Sequence, residues 1–495
     1  MVSSDDTGLS LLDLSRRHRR SIISQLVDIS SEYNQQKHVK FRSYISELQC
    51  LEPDNTQLRR KQIDAFSERR YVALSYTWDA SDTERSEPGL YRVENWDDSS
   101  LQLSPVRKCV LDRAIRYMHH NDVPFLWIDR HCIRQEACGV SDCDRHTRCI
   151  EKRNAIHAMD LVYQLSVYPM ALLGRPLKNG SELRLLARTL SGNLVEDPDG
   201  EFRLVTASAV RVAIEALSLL CEITKDKWWS RAWTFQENYR GGTQMQLLIS
   251  HDPSLEPQKR QYRAFGEIPG ELCIQSVAFS NQATRLCLAL REVPGLPRQY
   301  VEQIKGVLQT AGRYTLMLHS STSMTPTVIA DIECRNLFNP WDRLAIVANC
   351  CQYPVRLDIG ALSRQRQSPS LSVLAMCLVN GEILDNGSKN MASVAGLKMS
   401  KFLERLMFRG FHAPEDTTRR LTFNKGCRLA DVELTAGGIA TRGHLWKLGW
   451  VVDTAKFPRR LPWIDEPLGR LTLYQRKCLL QLVLHLDGLR LSPVS

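Results

Sequence analysis

The sequence predicts an α/β domain built on a parallel sheet, followed by a mainly helical region. Three short apolar runs, at residues 71–77, 125–129 and 169–173, have the length and composition of buried strands. Helical patterns separate these runs, and this alternation is typical of parallel sheets because every parallel strand needs a crossover connection. Beyond about residue 252 the apolar residues recur mostly at helical spacing, which predicts the helical region.

The first strand shows why the sheet is expected to be covered on both sides. In residues 70–78 the alternate positions of both faces are largely apolar, as in the buried strands of parallel sheets. The stretch 79–102 that follows is rich in Ser, Asp, Glu, Pro and Gly. We therefore expect a long loop after the first strand.

The second strand is predicted to deliver a carboxylate to the same edge of the sheet. Ser104 and Pro105 have the residue types that open a helix, and this helix would connect the first strand to the second. The second strand ends at Asp129. Ligands of parallel sheets bind at the carboxyl ends of the strands, so Tyr76, Trp78 and Asp129 are predicted to project into one site.

The later part of the domain carries further elements. Residues 175–207 contain several turn signals and predict a hairpin or an insertion. Residues 210–223 have the spacing of a strong amphipathic helix, and residues 244–249 are predicted to form a fourth strand. Between them, residues 228–237 read Trp-Trp-Ser-Arg-Ala-Trp-Thr-Phe-Gln-Glu, interpreted as one helix that holds three of the 10 tryptophans of the chain.

Two interpretations of this tryptophan-rich stretch remain open from the residues alone. In the first, the tryptophans belong to the core and Glu237 is solvated or paired with an arginine at the helix end. In the second, Glu237 lies in a half-apolar cleft, where burial raises its pKa and suits it to proton transfer or to stabilising a cation. The second interpretation requires other residues to form the walls of the cleft.

Length and composition indicate an ordinary globular protein with more than one domain. We assign a polar N-terminal extension to residues 1–66, the α/β domain to 67–252 and the helical region to 253–495. The extension contains an expected amphipathic helix at 12–29, whose basic run at 16–20 is predicted to be exposed. The net charge of +10 is spread along the chain without a long basic block, so nucleic acid is not expected as a partner.

The cysteines and the N-terminus bear on the compartment. The 15 cysteines are scattered, odd in number and often set in apolar runs, which is typical of buried free thiols in a reducing compartment. The N-terminus lacks the features of a secretory signal, and no stretch reaches the roughly 18 apolar residues that a membrane helix needs. We therefore expect a cytoplasmic protein with no membrane association.

Cysteine and histidine concentrate in one polar segment after the second strand. The spacing C-x4-C-x2-H-x2-C in this segment resembles a zinc site, but it matches none of the well-defined ligand spacings. We therefore expect no metal and interpret the segment as an insertion with reduced cysteines. A role as a zinc-dependent nucleic-acid binder is the least favoured of the functions considered for this chain. The residues concerned are His131, Cys132, Cys138, Cys143, His146 and Cys149.

Four sequence blocks, in this order, resemble the fungal heterokaryon incompatibility (HET) domain and span about residues 70 to 240. They are Ala-Leu-Ser-Tyr-Thr-Trp at 73–78, Leu-Trp-Ile-Asp-Arg-His-Cys-Ile-Arg-Gln at 126–135, Met-Asp-Leu-Val-Tyr at 159–163 with Leu-Leu-Gly at 172–174, and Arg-Ala-Trp-Thr-Phe-Gln-Glu at 231–237. Two later runs, at 341–351 and 443–448, also resemble segments that follow the domain in fungal proteins.

The resemblance implies a role in fungal non-self recognition, in which HET proteins trigger growth arrest and death of fused cells of unlike genotype. It also implies a distant relation to Toll/interleukin-1 receptor (TIR) domains, which have a flavodoxin-like α/β fold and of which some cleave NAD at a glutamate. On this basis Glu237 is predicted to be catalytic, with NAD as a substrate and no resident cofactor. The predicted cleft or binding residues are Tyr76, Trp78, Asp129, Arg231, Trp233 and Gln236.

The sequence also departs from the family pattern. Asp79 stands where glycine is usual, Arg134 stands where asparagine is usual, and the cysteine-rich insertion 136–150 is longer than expected. An inactive, degenerate member of the family is therefore one alternative, and two functions also stay open. The domain is either a nucleotide hydrolase or a non-enzymatic module that self-associates or docks a partner protein through the same aromatic surface.

Overall fold

The structure is a computed structural model that describes residues 5–442, apart from gaps at 85–86, 88–89, 136–137, 139–142, 144, 198–200, 207–208, 313–324, 383–395 and 406–428. The run at 443–448 that resembles a family segment lies outside the described residues. Among the described helices, none combines the length and the apolar character needed to cross a bilayer.

The described strands are short, and most of them belong to one sheet. In chain order they are β1 (Gln35–Lys37), β2 (Leu48–Asp54), β3 (Gln57–Ile63), β4 (Tyr71–Ser75), β5 (Arg92–Glu94), β6 (Leu101–Leu103), β7 (Phe125–Ile128), β8 (Tyr168–Leu177), β9 (Val195–Glu196), β10 (Arg203–Leu204), β11 (Gln246–His251), β12 (Glu271–Gln275), β13 (Val355–Leu357), β14 (Glu433–Thr435) and β15 (Gly438–Ala440).

Nine strands form the main sheet in the order β12-β11-β8-β4-β7-β2-β3-β5-β6. The four central neighbours β11, β8, β4 and β7 run parallel, with Ala73 of β4 opposite both Trp127 and Pro169. The predicted α/β class and the parallel pairing of the three predicted strands are therefore confirmed. The sheet as a whole is mixed rather than purely parallel, because β12 pairs antiparallel with β11, and β2 pairs antiparallel with both β7 and β3.

Helices cover both the sheet and the later part of the chain. In chain order they are α1 (Leu11–His18), α2 (Ile22–Ile29), α3 (Arg42–Ser46), α4 (Lys108–Asn121), α5 (Asp129–Cys132), α6 (Thr147–Leu165), α7 (Gly180–Leu190), α8 (Ala209–Thr224), α9 (Lys227–Ser230), α10 (Ala232–Gly241), α11 (Glu256–Lys259), α12 (Ser276–Arg291), α13 (Arg298–Thr310), α14 (Thr325–Glu333), α15 (Asp342–Cys351), α16 (Ile359–Arg364), α17 (Pro369–Val379) and α18 (Met399–Arg405).

Several sheet strands lie outside the places where the sequence predicts them. Strands β2 and β3 come before residue 66 and β12 comes after residue 252, so the sheet extends beyond both predicted domain boundaries. The boundaries themselves stay a prediction. The predicted loop 79–102 carries β5 and β6, and the stretch 175–207 holds α7 as well as the expected hairpin, which β9 and β10 form.

The N-terminal segment contains two helices where the sequence predicts one at 12–29. Arg19 adopts a left-handed conformation with φ of 51°, which ends α1, and the Ser21 hydroxyl accepts a hydrogen bond from the Ser24 N–H at 3.1 Å to begin α2. Side chains that cap a helix in this way stop an otherwise continuous periodicity. The arginines of the run at 16–20 are exposed, as predicted.

The buried apolar residues form two clusters that meet at α10. The larger cluster fills the two faces of the sheet, where every residue of β4 is buried. The second cluster joins α1 and α2 to the helices α14 to α18, and it includes Ala232 and Phe235 of α10. Trp233 packs against both clusters, so α10 connects the sheet to the helical region.

Candidate functional site

The end of β4 meets α10 in the buried centre of the domain. Ser75 is the last residue of β4, and its hydroxyl donates a short hydrogen bond to Oε2 of Glu237. The same hydroxyl oxygen accepts a hydrogen bond from the indole N–H of Trp228 at 2.7 Å. The Ser75 side chain thus connects the central strand to both halves of the tryptophan-rich stretch.

The tryptophan-rich stretch forms two helices rather than the predicted single helix. Arg231 is extended, with φ of −94° and ψ of 138°, and it separates α9 from α10. The break is held by Asn336, whose N–H donates to the Ser230 carbonyl at 2.7 Å and whose carbonyl accepts from the Ala232 N–H at 3.2 Å. A tertiary contact therefore overrides the local helical pattern and places Glu237 in the second turn of α10.

An aspartate fixes the start of this stretch against the sheet. Oδ1 of Asp226 accepts the backbone N–H of Trp228 at 2.9 Å, and Oδ2 accepts the N–H groups of Gly174 and Arg175 at 2.8 Å each. At Gly174 a Cβ atom would lie 2.0 Å from the Ser81 hydroxyl oxygen, so any larger residue would have to displace the Ser81 side chain. The position of the Trp228 ring follows from these contacts with the end of β8.

Glu237 is buried, with 6% of its surface exposed, and its pKa is strongly perturbed. Burial raises the pKa of the Glu237 carboxyl to about 7, and the negative charge of Asp129 acts in the same direction. The hydrogen bond from Ser75, the positive charge of Arg231 and the contact with the Tyr163 hydroxyl oppose this shift. Glu237 is therefore poised to exchange a proton near neutral pH.

Asp129 supplies a second carboxylate at the neighbouring strand end. Its Oδ2 accepts the indole N–H of Trp78 at 2.8 Å, and its Oδ1 accepts the backbone N–H of Arg130. Burial raises the pKa of Asp129, while these two hydrogen bonds and the charges of Arg231 and Arg130 lower it. The negative charge of Asp129 in turn raises the pKa of the Glu237 carboxyl, so the ionisation of Glu237 depends on the charge state of Asp129.

Tyr76 and Arg231 complete the group of residues that interact electrostatically. Tyr76 is buried, and burial together with the charge of Asp129 raises the pKa of its hydroxyl well above the ordinary value. The charge of Arg231 lowers the pKa values of Tyr76, Asp129 and Glu237 alike. Within the described part of the chain, the Arg231 guanidinium has no hydrogen bond or ion pair with a side chain.

The structure thus brings Tyr76, Trp78, Asp129, Arg231 and Glu237 into mutual electrostatic reach at the carboxyl ends of β4 and β7. Trp78 is the exposed member, with 43% of its surface accessible, and the guanidinium of Arg130 lies 4.7 Å from its ring centre. That these five residues line one cleft stays a prediction. Their chemistry comprises two carboxylates with raised proton affinity, an arginine, a tyrosine and an exposed indole.

Trp233 and Gln236 lie elsewhere. The Trp233 indole N–H donates to Oδ2 of Asp342 at 3.0 Å, and the Gln236 carbonyl oxygen accepts from Nδ2 of Asn349 at 2.9 Å. Gln236 is fully buried. These two predicted binding residues therefore make contacts with α15, and their observed partners connect the domain to the helical region.

Three residues at the site were not assigned a role from the sequence. Ser75 and Trp228 bond to one another beside Glu237, and the Tyr163 hydroxyl contacts the Glu237 carboxyl while donating to the Leu74 carbonyl at 2.9 Å. Trp228 and the neighbouring Trp229 are nearly fully buried, as the core interpretation of the tryptophans expects. The presence of Ser75 and Tyr163 inside the family blocks was the signal that could have identified them.

The two departures from the family pattern have different surroundings. The Asp79 carbonyl accepts a hydrogen bond from the Thr77 hydroxyl at 2.9 Å, in the turn that follows β4. The Arg134 guanidinium pairs with Asp97 at 2.9 Å and with Glu151 at 3.1 Å. Arg134 lines a separate cavity of about 490 Å³.

Comparison with known families gives one match. Residues 71–237 match the family described as heterokaryon incompatibility protein (HET). The matched segment begins at the first residue of β4 and ends at Glu237, so it contains all of the site residues described above. No curated protein and no solved structure matched the chain.

Proposed function

Residues 71–237 form a heterokaryon incompatibility domain, and from this premise we propose that the chain is a cell-death effector of fungal non-self recognition whose domain cleaves NAD-like dinucleotides. The domain supports a role in heterokaryon incompatibility in general. The cleavage reaction is the further step, and it rests on the environment of Glu237.

The observation that carries the proposal is the pair of carboxyl groups at the strand ends. Glu237 has a pKa of about 7 and lies beside Asp129, whose pKa is also raised. Paired carboxyl groups with raised proton affinity are more often found at functional sites than at structural ones. The position at the carboxyl ends of parallel strands is also where α/β sheets bind their ligands.

In the proposed reaction, Glu237 acts as an anion beside the ribose. As the N-glycosidic bond of NAD breaks, its electron pair leaves with nicotinamide, which becomes neutral, and positive charge builds on the ribose carbon. The Glu237 carboxylate stabilises this charge. Water attacks the same carbon, and Asp129 accepts the proton that water loses. The products are nicotinamide, ADP-ribose and one proton.

Two other residues would bind the substrate. The guanidinium of Arg231 lacks a side-chain partner among the described residues and is suited to the pyrophosphate. The exposed indole of Trp78 offers a face on which a base can stack, and its N–H holds Asp129 in place.

The strand order supports the proposed relation to flavodoxin-like and TIR-like folds. Counted along the chain, the parallel strands β4, β7, β8 and β11 lie in the spatial order 2-1-3-4, which is the start of the flavodoxin-like order. The fifth position holds the antiparallel β12 instead of a parallel strand. Fold likeness by itself does not establish an activity, so the chemistry is argued from the site.

A second candidate function is a docking module without catalysis, and the exposure of Trp78 favours it. Aromatic side chains and arginines are common anchors of protein interfaces, and Arg130 lies over the Trp78 ring. In this role the site would bind a protein partner or a second copy of the chain. For both candidates we propose a cytoplasmic location, a reducing compartment that suits a chain whose described cysteines are not joined in disulfides.

The test incubates the purified full-length chain with NAD and measures released nicotinamide by chromatography. Glu237→Gln keeps the shape and one acceptor oxygen but removes the negative charge, so we expect release to fall by at least about 100-fold. The matched control is Glu222→Gln, which removes an exposed glutamate on α8 and should leave the rate unchanged.

Killing of fungal cells on expression separates the two candidates. The hydrolase proposal expects Glu237→Gln to abolish both nicotinamide release and killing. If wild type releases no base while the Gln variant kills as well as wild type, the docking module is the correct function. In that case Trp78→Ala should lose killing and keep its thermal stability.

A further inference from the structure

We propose that Cys138, Cys143, His146 and Cys149 bind a structural zinc ion. Their four ligand atoms lie within 4.8 Å of one another. Three cysteine sulfurs and one imidazole nitrogen are one of the standard donor sets of structural zinc sites. The inference does not depend on the proposed hydrolase activity.

The distance between two of the sulfurs matches a tetrahedral site. Zn–S bonds of about 2.3 Å at tetrahedral angles place two sulfurs about 3.8 Å apart, and the Cys138 and Cys149 sulfurs are 3.9 Å apart. The Cys143 sulfur lies 3.1 Å from Nδ1 of His146. Two sulfurs joined in a disulfide would be about 2.05 Å apart, so this geometry fits thiols around a common centre.

Two backbone groups also face the sulfur of Cys143. The N–H groups of Arg145 and His146 donate hydrogen bonds to it. Such bonds stabilise the negative charge of a metal-bound thiolate and fix its direction. The Cys143 sulfur is therefore stabilised as a thiolate beside the His146 nitrogen that would bind the same ion.

The structure separates these four residues from the other two candidates of the segment. Nε2 of His131 lies 2.8 Å from the Ser104 hydroxyl, and the Cys132 sulfur contacts the Ile128 N–H at 3.3 Å in the core. The spacing C-x4-C-x2-H-x2-C of these four residues matches none of the well-defined zinc spacings along the chain. The expectation of no metal rested on that spacing, and the three-dimensional arrangement of the four ligands is the reason for revising it.

The site would fix the start of α6 and the chain before it. Cys149 is buried in the first turn of α6, while Cys138 and Cys143 lie before the helix. Asp97, which lines the 490 Å³ cavity, pairs with Arg134 and with Arg148 in the first turn of α6. An ion at this point would join the insertion to the domain with one cross-link.

The zinc is assigned a structural role because all four positions are filled by protein ligands and the site is remote from Glu237. Tyr163, which contacts Glu237, lies sixteen residues after Thr147 on α6. At a rise of 1.5 Å per residue, this corresponds to about 24 Å along the helix. A closed site at that distance stabilises the fold and takes no part in chemistry at Glu237.

The first measurement is the metal content of the full-length chain, purified without chelators under reducing conditions. We expect about one zinc per chain, and at least about a tenfold lower content in Cys143→Ser and in Cys149→Ser. Cys221→Ser is the matched control, because it removes a thiol on α8, outside the cluster, and should keep the zinc.

The second measurement uses the wild-type chain, so it holds even if the variants fail to fold. Cobalt that replaces zinc should give the visible bands of tetrahedral coordination and a thiolate charge-transfer band. Alkylation followed by mass spectrometry should find Cys138, Cys143 and Cys149 protected until zinc is removed, whereas the exposed Cys334 reacts throughout. Three results would each overturn the proposal. The first is less than about 0.2 zinc per chain together with no cobalt spectrum. The others are a Cys138–Cys149 disulfide and bound iron with visible absorption.

Discussion

Ser75 and Glu237, which are 162 positions apart in the sequence, share a hydrogen bond in the buried centre of the domain. The bond joins the carboxyl end of the central strand to the helix that also contacts the helical region. This hydrogen bond lowers the Glu237 pKa and so opposes the effect of burial. The Ser75 hydroxyl oxygen also accepts a hydrogen bond from the Trp228 indole N–H. The proton affinity of Glu237 is therefore set by the packing of the tryptophan-rich stretch on the sheet.

Ser75→Ala should raise the pKa of Glu237 above about 7, because the variant removes a hydrogen bond that stabilises the ionised carboxyl. It also leaves the buried Trp228 N–H without its acceptor, which costs about 1–3 kcal/mol of the free energy of unfolding. If the carboxylate is the reactive form, the pH at half-maximal nicotinamide release should move upward. Ser218→Ala, which removes a hydroxyl on α8, should leave that pH unchanged.

Glu237→Gln should stabilise the protein at high pH. The Glu237 pKa is about 7 in the folded chain and about 4.5 when the side chain is exposed. Between pH 4.5 and 7, the Glu237 carboxyl therefore keeps its proton in the folded state and loses it in the unfolded state. The free energy of unfolding of wild type therefore falls as pH rises from about 4.5 to 7. Glutamine does not titrate, and the variant should be more stable at pH 8 by up to roughly 3 kcal/mol.

Urea denaturation of both chains from pH 4.5 to 8 measures this effect, since contributions from other groups cancel in the difference. The difference should be small at pH 4.5, grow as pH rises towards 7 and level off above about 7. A difference that stays constant over this range would show that the Glu237 pKa is ordinary in the folded chain.

The parallel strands at the centre of the domain could be predicted because they are apolar on both faces, while the polar strand β3 could not. All five residues of β4 are buried, whereas β3 contains Arg59, Arg60 and Lys61 in a strand that is largely exposed. In β3 only Leu58 and Ile63 are apolar, so the alternation of apolar and polar residues that identifies a strand is missing. Strand β2, which pairs with β3, lies in the same segment, which the sequence predicts to be the N-terminal extension.

The site could be predicted only as far as local sequence determines it. The tryptophan-rich stretch indicated Glu237, but its break at Arg231 depends on Asn336, which lies 105 positions later in the chain. The partners of Trp233 and Gln236 are likewise in α15. Hydrogen bonds between distant segments leave no periodicity in the sequence, so these contacts became visible only in the structure.

Asn349→Leu should weaken the contact between the domain and the helical region. Its Nδ2 donates to Gln236 and to the Ile156 carbonyl at 3.0 Å, and its Oδ1 accepts from Nη1 of Arg356 at 2.5 Å. All three partners would lose a hydrogen bond in a buried place, so we expect a loss of about 2–4 kcal/mol in the free energy of unfolding. Gln352→Leu, a more exposed amide at the end of α15, should cost less than about 0.5 kcal/mol in the same denaturation experiment.

His157→Phe should reduce the sensitivity of the protein to acid. His157 is buried and stacks on Phe41 with ring centres 4.8 Å apart; burial and the nearby charges of Arg356 and Arg153 lower its pKa to about 3. Below pH 6.5 the His157 imidazole becomes protonated in the unfolded chain but stays neutral in the folded chain until the pH approaches 3. The free energy of unfolding therefore falls as pH falls from 6.5 to 3. Phenylalanine keeps the stacked ring and does not titrate.

Thermal denaturation at pH 7 and pH 5 tests this expectation. Wild type should lose roughly 2 kcal/mol more than the His157→Phe variant between the two values. His120→Phe, which replaces an exposed histidine on α4, should follow wild type. Equal losses in all three chains would mean that His157 titrates normally in the folded protein.

Arg113→Ala should be among the most destabilising single changes in the domain. The Arg113 guanidinium donates to both oxygens of Glu271, at 2.6 and 2.8 Å, and to the carbonyls of Leu173 and Leu248 at 2.9 Å each. Glu271 is 1% exposed, and removing Arg113 leaves its charge buried without its main partner, which costs about 3–5 kcal/mol of the free energy of unfolding. Arg211→Ala breaks an ion pair that is largely exposed to solvent and should cost less than about 1 kcal/mol. Replacing Arg113 by Met and Glu271 by Leu together should recover most of the lost stability, because the loss comes from the unpaired charge of Glu271. Urea denaturation measures the free energy of unfolding of each variant. If the double variant is as unstable as Arg113→Ala, the loss comes from packing instead.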